Sequence, residues 1–111
     1  MTNFRTLEFV VDKQRLTRKR DCDFSRIVAG TVGYLRAKFY FSEEWEGCVK
    51  IATFESDAVE EPKSVVLDVE DSCDIPAEVL NAERFYISVL GGKTDYRITT
   101  NKTKVNQMEV K

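Results

Sequence analysis

Apolar and polar residues alternate along most of this chain, and a period of two is the signature of strands with one face in a core and the other in water. Leu7, Phe9 and Val11 alternate with Glu8, Val10 and Asp12. Leu35, Ala37, Phe39 and Phe41 alternate with Arg36, Lys38 and Tyr40. The same pattern runs through Cys48–Phe54, Val65–Glu70, Phe85–Leu90 and Tyr96–Thr100. The segment from Val105 to Val110 is expected to form a last strand. Most of these residues are β-branched or aromatic, as a half-buried pleated surface prefers.

Turn-forming residues separate the runs. Asp21-Cys22-Asp23 divides the first strands from Ile27-Val28, and Glu43–Gly47 joins two strong strands. An acidic stretch from Ser56 to Lys63 contains Pro62. Gly91-Gly92-Lys93 is expected to be a tight hairpin turn, since paired glycines supply positive φ angles. Only Pro76–Ala82 reads as helical, with proline at a first helical position, Glu78 in the first turn and Val79-Leu80 facing the core. Short strands joined by short loops predict an all-β sandwich or small barrel. With 111 residues, a single domain over 1–111 can bury roughly two-thirds of its unfolded surface and needs no covalent staple.

The chain contains no histidine. That removes the usual general acid–base of neutral pH and the commonest metal ligand, and with them the Ser-His-Asp, Cys-His and His-based zinc arrangements. The three cysteines, Cys22, Cys48 and Cys73, are odd in number and widely spaced. They read as free thiols in a reducing compartment rather than as a disulfide framework or zinc site. A net charge of −2 gives no global pull toward nucleic acid or an anionic membrane. Arg5 and Glu8 interrupt the first apolar stretch, so no signal peptide is expected, and no run reaches the roughly 18 apolar residues of a bilayer span. No catalytic residue, cofactor, metal, nucleic acid or membrane partner is expected.

Several motifs have plainer explanations than function. Gly91-Gly92-Lys93-Thr94 resembles the end of a phosphate-binding loop, but Ile87 occupies the position of that loop's first glycine and a strand follows instead of a helix. Asp68, Glu70, Asp71 and Asp74 lack the alternation and glycine of a calcium loop. Lys13, Arg15, Arg18, Lys19 and Arg20 have no interleaved aromatics, as a single-stranded nucleic-acid groove would require, and suit an edge strand guarded by charge. The basic segment lies early and the acidic ones lie at Glu55–Glu61 and Asp68–Glu78, so opposite patches could steer contact with a neighbour. Asn101-Lys102-Thr103 matches a glycosylation sequon. Trp45 either caps one end of the core or is exposed as a sugar platform or interface anchor.

From Leu35 onward the order of features resembles a module of tail and baseplate proteins in phages and prophages of Gram-positive bacteria. The stretch Tyr34–Gly47 leads into Lys50–Phe54; then come Ser72–Leu80, Phe85–Gly92 and Arg97–Asn101. The likeness covers about two-thirds of the chain and leaves out Met1–Gly33. It implies an immunoglobulin-like antiparallel β-sandwich that acts as a structural module, without catalytic residues. The implied partners are other tail or baseplate proteins, or copies of itself. The implied location is the bacterial cytoplasm on synthesis and the virion tail after assembly. Trp45, Tyr34, Tyr40, Tyr86, Arg18 and Arg20 are the candidate interface or ligand contacts. The competing expectation is a carbohydrate-binding sandwich that stacks sugars on Trp45 or the tyrosines.

Overall fold

In the computed structural model, which describes residues 3–108, the alternating runs become nine strands in two sheets. They are β1 (Arg5–Asp12), β2 (Arg15–Arg18), β3 (Leu35–Phe41), β4 (Val49–Glu55), β5 (Lys63–Val66), β6 (Ser72–Asp74), β7 (Arg84–Lys93), β8 (Tyr96–Thr99) and β9 (Thr103–Asn106). The first sheet has the order β2-β1-β3-β6. In the second, β5-β4-β7, β4 runs along one edge of β7 while β8 and β9 divide the other. All ladders are antiparallel except β1 with β3. A parallel pair cannot be joined by a tight turn. The connection through residues 19–34 makes the return, and the Arg5 guanidinium pins it by donating to the carbonyls of Asp23 (2.8 Å), Ser25 (2.7 Å) and Arg26 (3.3 Å).

The fold is the all-β sandwich that the alternation predicts. Leu7, Phe9, Val11, Ala37 and Phe39 of the first sheet meet Ala52, Phe54, Phe85, Ile87 and Val89 of the second in one core. Ala77–Leu80 forms a single 3-10 turn within the expected helical segment, and Val79 and Leu80 are buried. The sheets also meet along both flanks. On one, Asp68 N–H donates to the Ser72 carbonyl at 2.9 Å, and β5 lies near β6. On the other, Asn101 N–H donates to the Gln14 carbonyl at 3.3 Å, and β2 lies near β9.

Three expectations are corrected. Gly91, Gly92 and Lys93 are strand residues of β7, and the two-residue turn is Thr94-Asp95, with Asp95 at φ 58°. Val69 leaves its predicted strand for a turn and is fully exposed. The last strand is Thr103–Asn106; the remainder of its predicted span beyond Met108 lies outside the described residues.

Candidate interaction surfaces

Trp45 ends a 3-10 turn, Glu43–Trp45, that follows β3 directly and folds the indole back over the end of the core. Its relative exposure is 0%, and its Nε1–H donates to the Lys13 carbonyl at 2.7 Å. Buried indoles need such a partner. Gly47, at φ 76°, turns the chain away into β4. The ring lies on Gly91: a Cβ there would sit 2.6 Å from Trp45 Cε3 and 2.7 Å from Cζ3. This explains a glycine inside a strand, a position that otherwise weakens pairing. Of the two expectations for Trp45, the structure has the core cap, so Trp45 leaves the set of contact residues.

An aromatic chain runs inward from this corner. Ring centroids are 5.0 Å apart for Trp45–Phe41, 6.0 Å for Phe41–Phe39, 5.4 Å for Phe39–Phe9 and 5.4 Å for Phe9–Phe24. It ends at the surface, where the Arg18 guanidinium lies 5.4 Å over the Phe24 ring. Arg18 and Arg20 line an open cleft of about 280 Å³ with Lys19, Cys22 and Phe24.

The tyrosines do not converge. Tyr40 lies on the outer face of the first sheet, where its hydroxyl donates to Glu8 and its ring receives Lys19 at 5.6 Å and Lys38 at 5.3 Å. The Glu8 hydrogen bond holds the Tyr40 phenol above its ordinary pKa, because its proton is already engaged. Tyr86 lies on the outer face of the second sheet, opposite Glu55 and Lys104, in an open depression of about 380 Å³ with Ser56, Asp57 and Lys102. Tyr34 precedes β3 and is half exposed. No flat row of rings forms from these residues.

The two outer faces differ in charge. On the first sheet, Glu8 pairs across strands with Lys38, and Arg36 with Asp74. Arg36 also reaches Asp68 at 3.2 Å, and Lys38 donates to the Glu70 carbonyl at 2.6 Å. On the second sheet, Ile51 lies between Val66 and Leu90, and Thr53 between Ser64 and Ser88. Those six positions on three strands carry no charge, and Val66 and nearby Val49 are each 61% exposed. Beside them on the same face Glu55 meets Lys102 at 2.8 Å, whereas Lys50 points to the inner side of the sheet, over the Phe41 ring, and meets Asp71 at 3.0 Å.

Asn101, which the sequence offers only as a sequon, is a structural clip. Its Oδ1 accepts Leu16 N–H at 2.8 Å, and its Nδ2 donates to the Leu16 carbonyl at 3.1 Å. The side chain thus imitates a neighbouring strand along the outer edge of β2, and Thr103 Oγ1 donates to the same carbonyl. The amide is committed within the fold.

Burial pushes the Cys73 thiol up to about 12, the opposite of an activated nucleophile. Among the described residues no cluster of three or more Cys, Asp or Glu side chains is placed to hold a metal ion. Asp68 is held below the ordinary carboxylate value by the backbone N–H groups of Glu70 and Ser72, with Arg36 adding to the effect. That carboxylate fixes a turn. Comparisons with protein-family models, curated proteins and solved structures found no match.

Proposed function

We propose that this chain is a non-enzymatic structural module of a phage or prophage tail or baseplate, working through contacts with neighbouring tail proteins or with copies of itself. The observation that carries the contact reading is the uncharged patch on the outer face of the second sheet, beside the charged Glu55, Lys102 and Lys104. In a chain with 32% charged residues, Val66, Ile51 and Leu90 form an apolar row flanked by hydroxyl side chains. Exposed apolar stretches rimmed by polar groups suit protein contacts. The tail and baseplate assignment rests on the ordered resemblance from Leu35 to Asn101.

Carbohydrate binding is the weaker reading, because its principal ring, Trp45, is buried and the tyrosines face different directions. The proposal is tested by sedimentation velocity of the purified chain, alone and mixed with tail proteins encoded beside it. Complex formation supports it. A chain that stays monomeric and contacts none of them overturns it.

A further inference from the structure

We infer that copies of this chain associate flank to flank, the arginine edge of one copy against the acidic β4–β5 loop of the next. The inference rests on the assembly reading above and names its partner. Strand β2 is one edge of the first sheet and lies beside β9 of the second. Strand β5 is the far edge of the second sheet and lies beside β6. The two edges therefore occupy opposite flanks of the sandwich.

Charge follows this division. Arg15, Arg18 and Arg20 lie on or just after β2, and all three are exposed. Asp57, Glu60 and Glu61 lie in the loop that leads into β5, and all three are exposed. None of these six takes part in an ion pair among the described residues, although Lys19, Arg36, Lys50, Arg84 and Lys102 nearby each hold a carboxylate. The two groups sit on different edges of one molecule and do not pair with each other there, although Asp12 lies across from Arg15 in register and Asp57 shares a depression with Lys102. Two molecules side by side can bring them together.

The patches are unlike, so the contact is heterologous, and repeating it produces a closed ring or an open filament. It is made by side chains rather than by extending the sheet, because Asn101 and Thr103 already occupy the Leu16 backbone on the β2 edge. Exposed ion pairs are individually weak and salt-sensitive. The association is therefore expected to need high concentration or a tail scaffold, and to disappear in salt.

Sedimentation velocity of the full chain, up to about 1 mM protein, tests this. At about 0.1 M salt the weight-average sedimentation coefficient is expected to rise with concentration, and at about 1 M it is expected to stay flat. Two charge-reversed proteins decide the geometry. Arg15→Glu/Arg18→Glu/Arg20→Glu and Asp57→Lys/Glu60→Lys/Glu61→Lys should each stay monomeric alone, and an equal mixture should associate at least as strongly as the parent. Circular dichroism melting checks that each folds. Arg20→Glu, outside the strand, is the substitute if the triple arginine variant does not fold, and it should weaken association several-fold. Self-association that both reversals leave unchanged overturns the inference. So does a chain that is monomeric at both salt concentrations; if that monomer still binds a neighbouring tail protein, the assembly reading survives, and if it binds none, both fall.

Discussion

The Trp45 corner and the arginine edge of β2 lie at the two ends of one aromatic chain, and they are built on opposite principles. At the corner a ring with 0% exposure, a strand glycine and a backbone carbonyl fit without slack. At the edge the last ring, Phe24, carries an arginine whose charge stays in water. The corner sets whether the chain folds, whereas the edge leaves stability nearly untouched and is free to meet another molecule. Core packing is intolerant of one extra or missing carbon, while surface charge is not.

The comparison breaks most visibly at Trp45. Trp45→Ala should lower the unfolding free energy by about 3–5 kcal/mol in urea denaturation, the usual range for truncating a buried aromatic. An unchanged midpoint would mean that the ring is solvent-exposed. Gly91→Ala comes next, at about 1–3 kcal/mol for forcing a methyl group into the indole. The two effects should couple: in the Trp45→Ala background the Gly91→Ala penalty should largely vanish. Equal penalties in both backgrounds would show that Gly91 serves the backbone rather than the ring.

Asn101→Ala should cost about 1–2 kcal/mol, since the Leu16 N–H loses its partner and the Leu16 carbonyl keeps only Thr103, at a site that water partly reaches. Thermal unfolding measures this, and hydrogen exchange at Leu16 locates it. The smallest effect concerns acid. The folded pKa of Asp68 lies below the ordinary 3.8, so the stabilisation from its turn is complete above that value and is lost as pH falls through the folded one. The melting temperature should therefore be insensitive to Asp68 above about pH 5 and fall below about pH 4. Asp68→Asn, which keeps an acceptor oxygen and cannot ionise, should shallow that fall.

Alternation made much of the fold legible. Leu7, Phe9 and Val11, like Phe85, Ile87 and Val89, are the inward residues that their spacing predicts. The Pro76 segment supplied its turn with Val79 and Leu80 inward. What escaped were interactions between distant parts of the chain. Gly91 reads as a turn residue because its reason for being glycine, the Trp45 ring, arrives from another strand connection. Asn101 reads as a sequon because its partner, Leu16, is 85 residues away. The parallel pairing of β1 with β3 leaves no local signal. The candidate contacts were legible as residue types and not as a surface. Alternation says that Tyr40 and Tyr86 face outward from their strands, but not that those strands belong to different sheets. The Arg18 and Arg20 edge was legible as a charged strand, and its position opposite the acidic loop needed the topology.

Zero-length carbodiimide cross-linking of the concentrated protein, followed by peptide mass spectrometry, tests the central claim most directly. Lys13 and Lys19 belong to the β2 flank, and Asp57, Glu60 and Glu61 to the opposite one. A bond between these groups that is found in the dimer band and not in the monomer band joins two molecules. Contact between copies predicts Lys13 or Lys19 joined to Asp57, Glu60 or Glu61 in the dimer band, diminishing as salt is raised. Links confined to pairs within one chain, such as Lys19–Asp21, Lys50–Asp71 and Lys102–Glu55, with no dimer band, would contradict it.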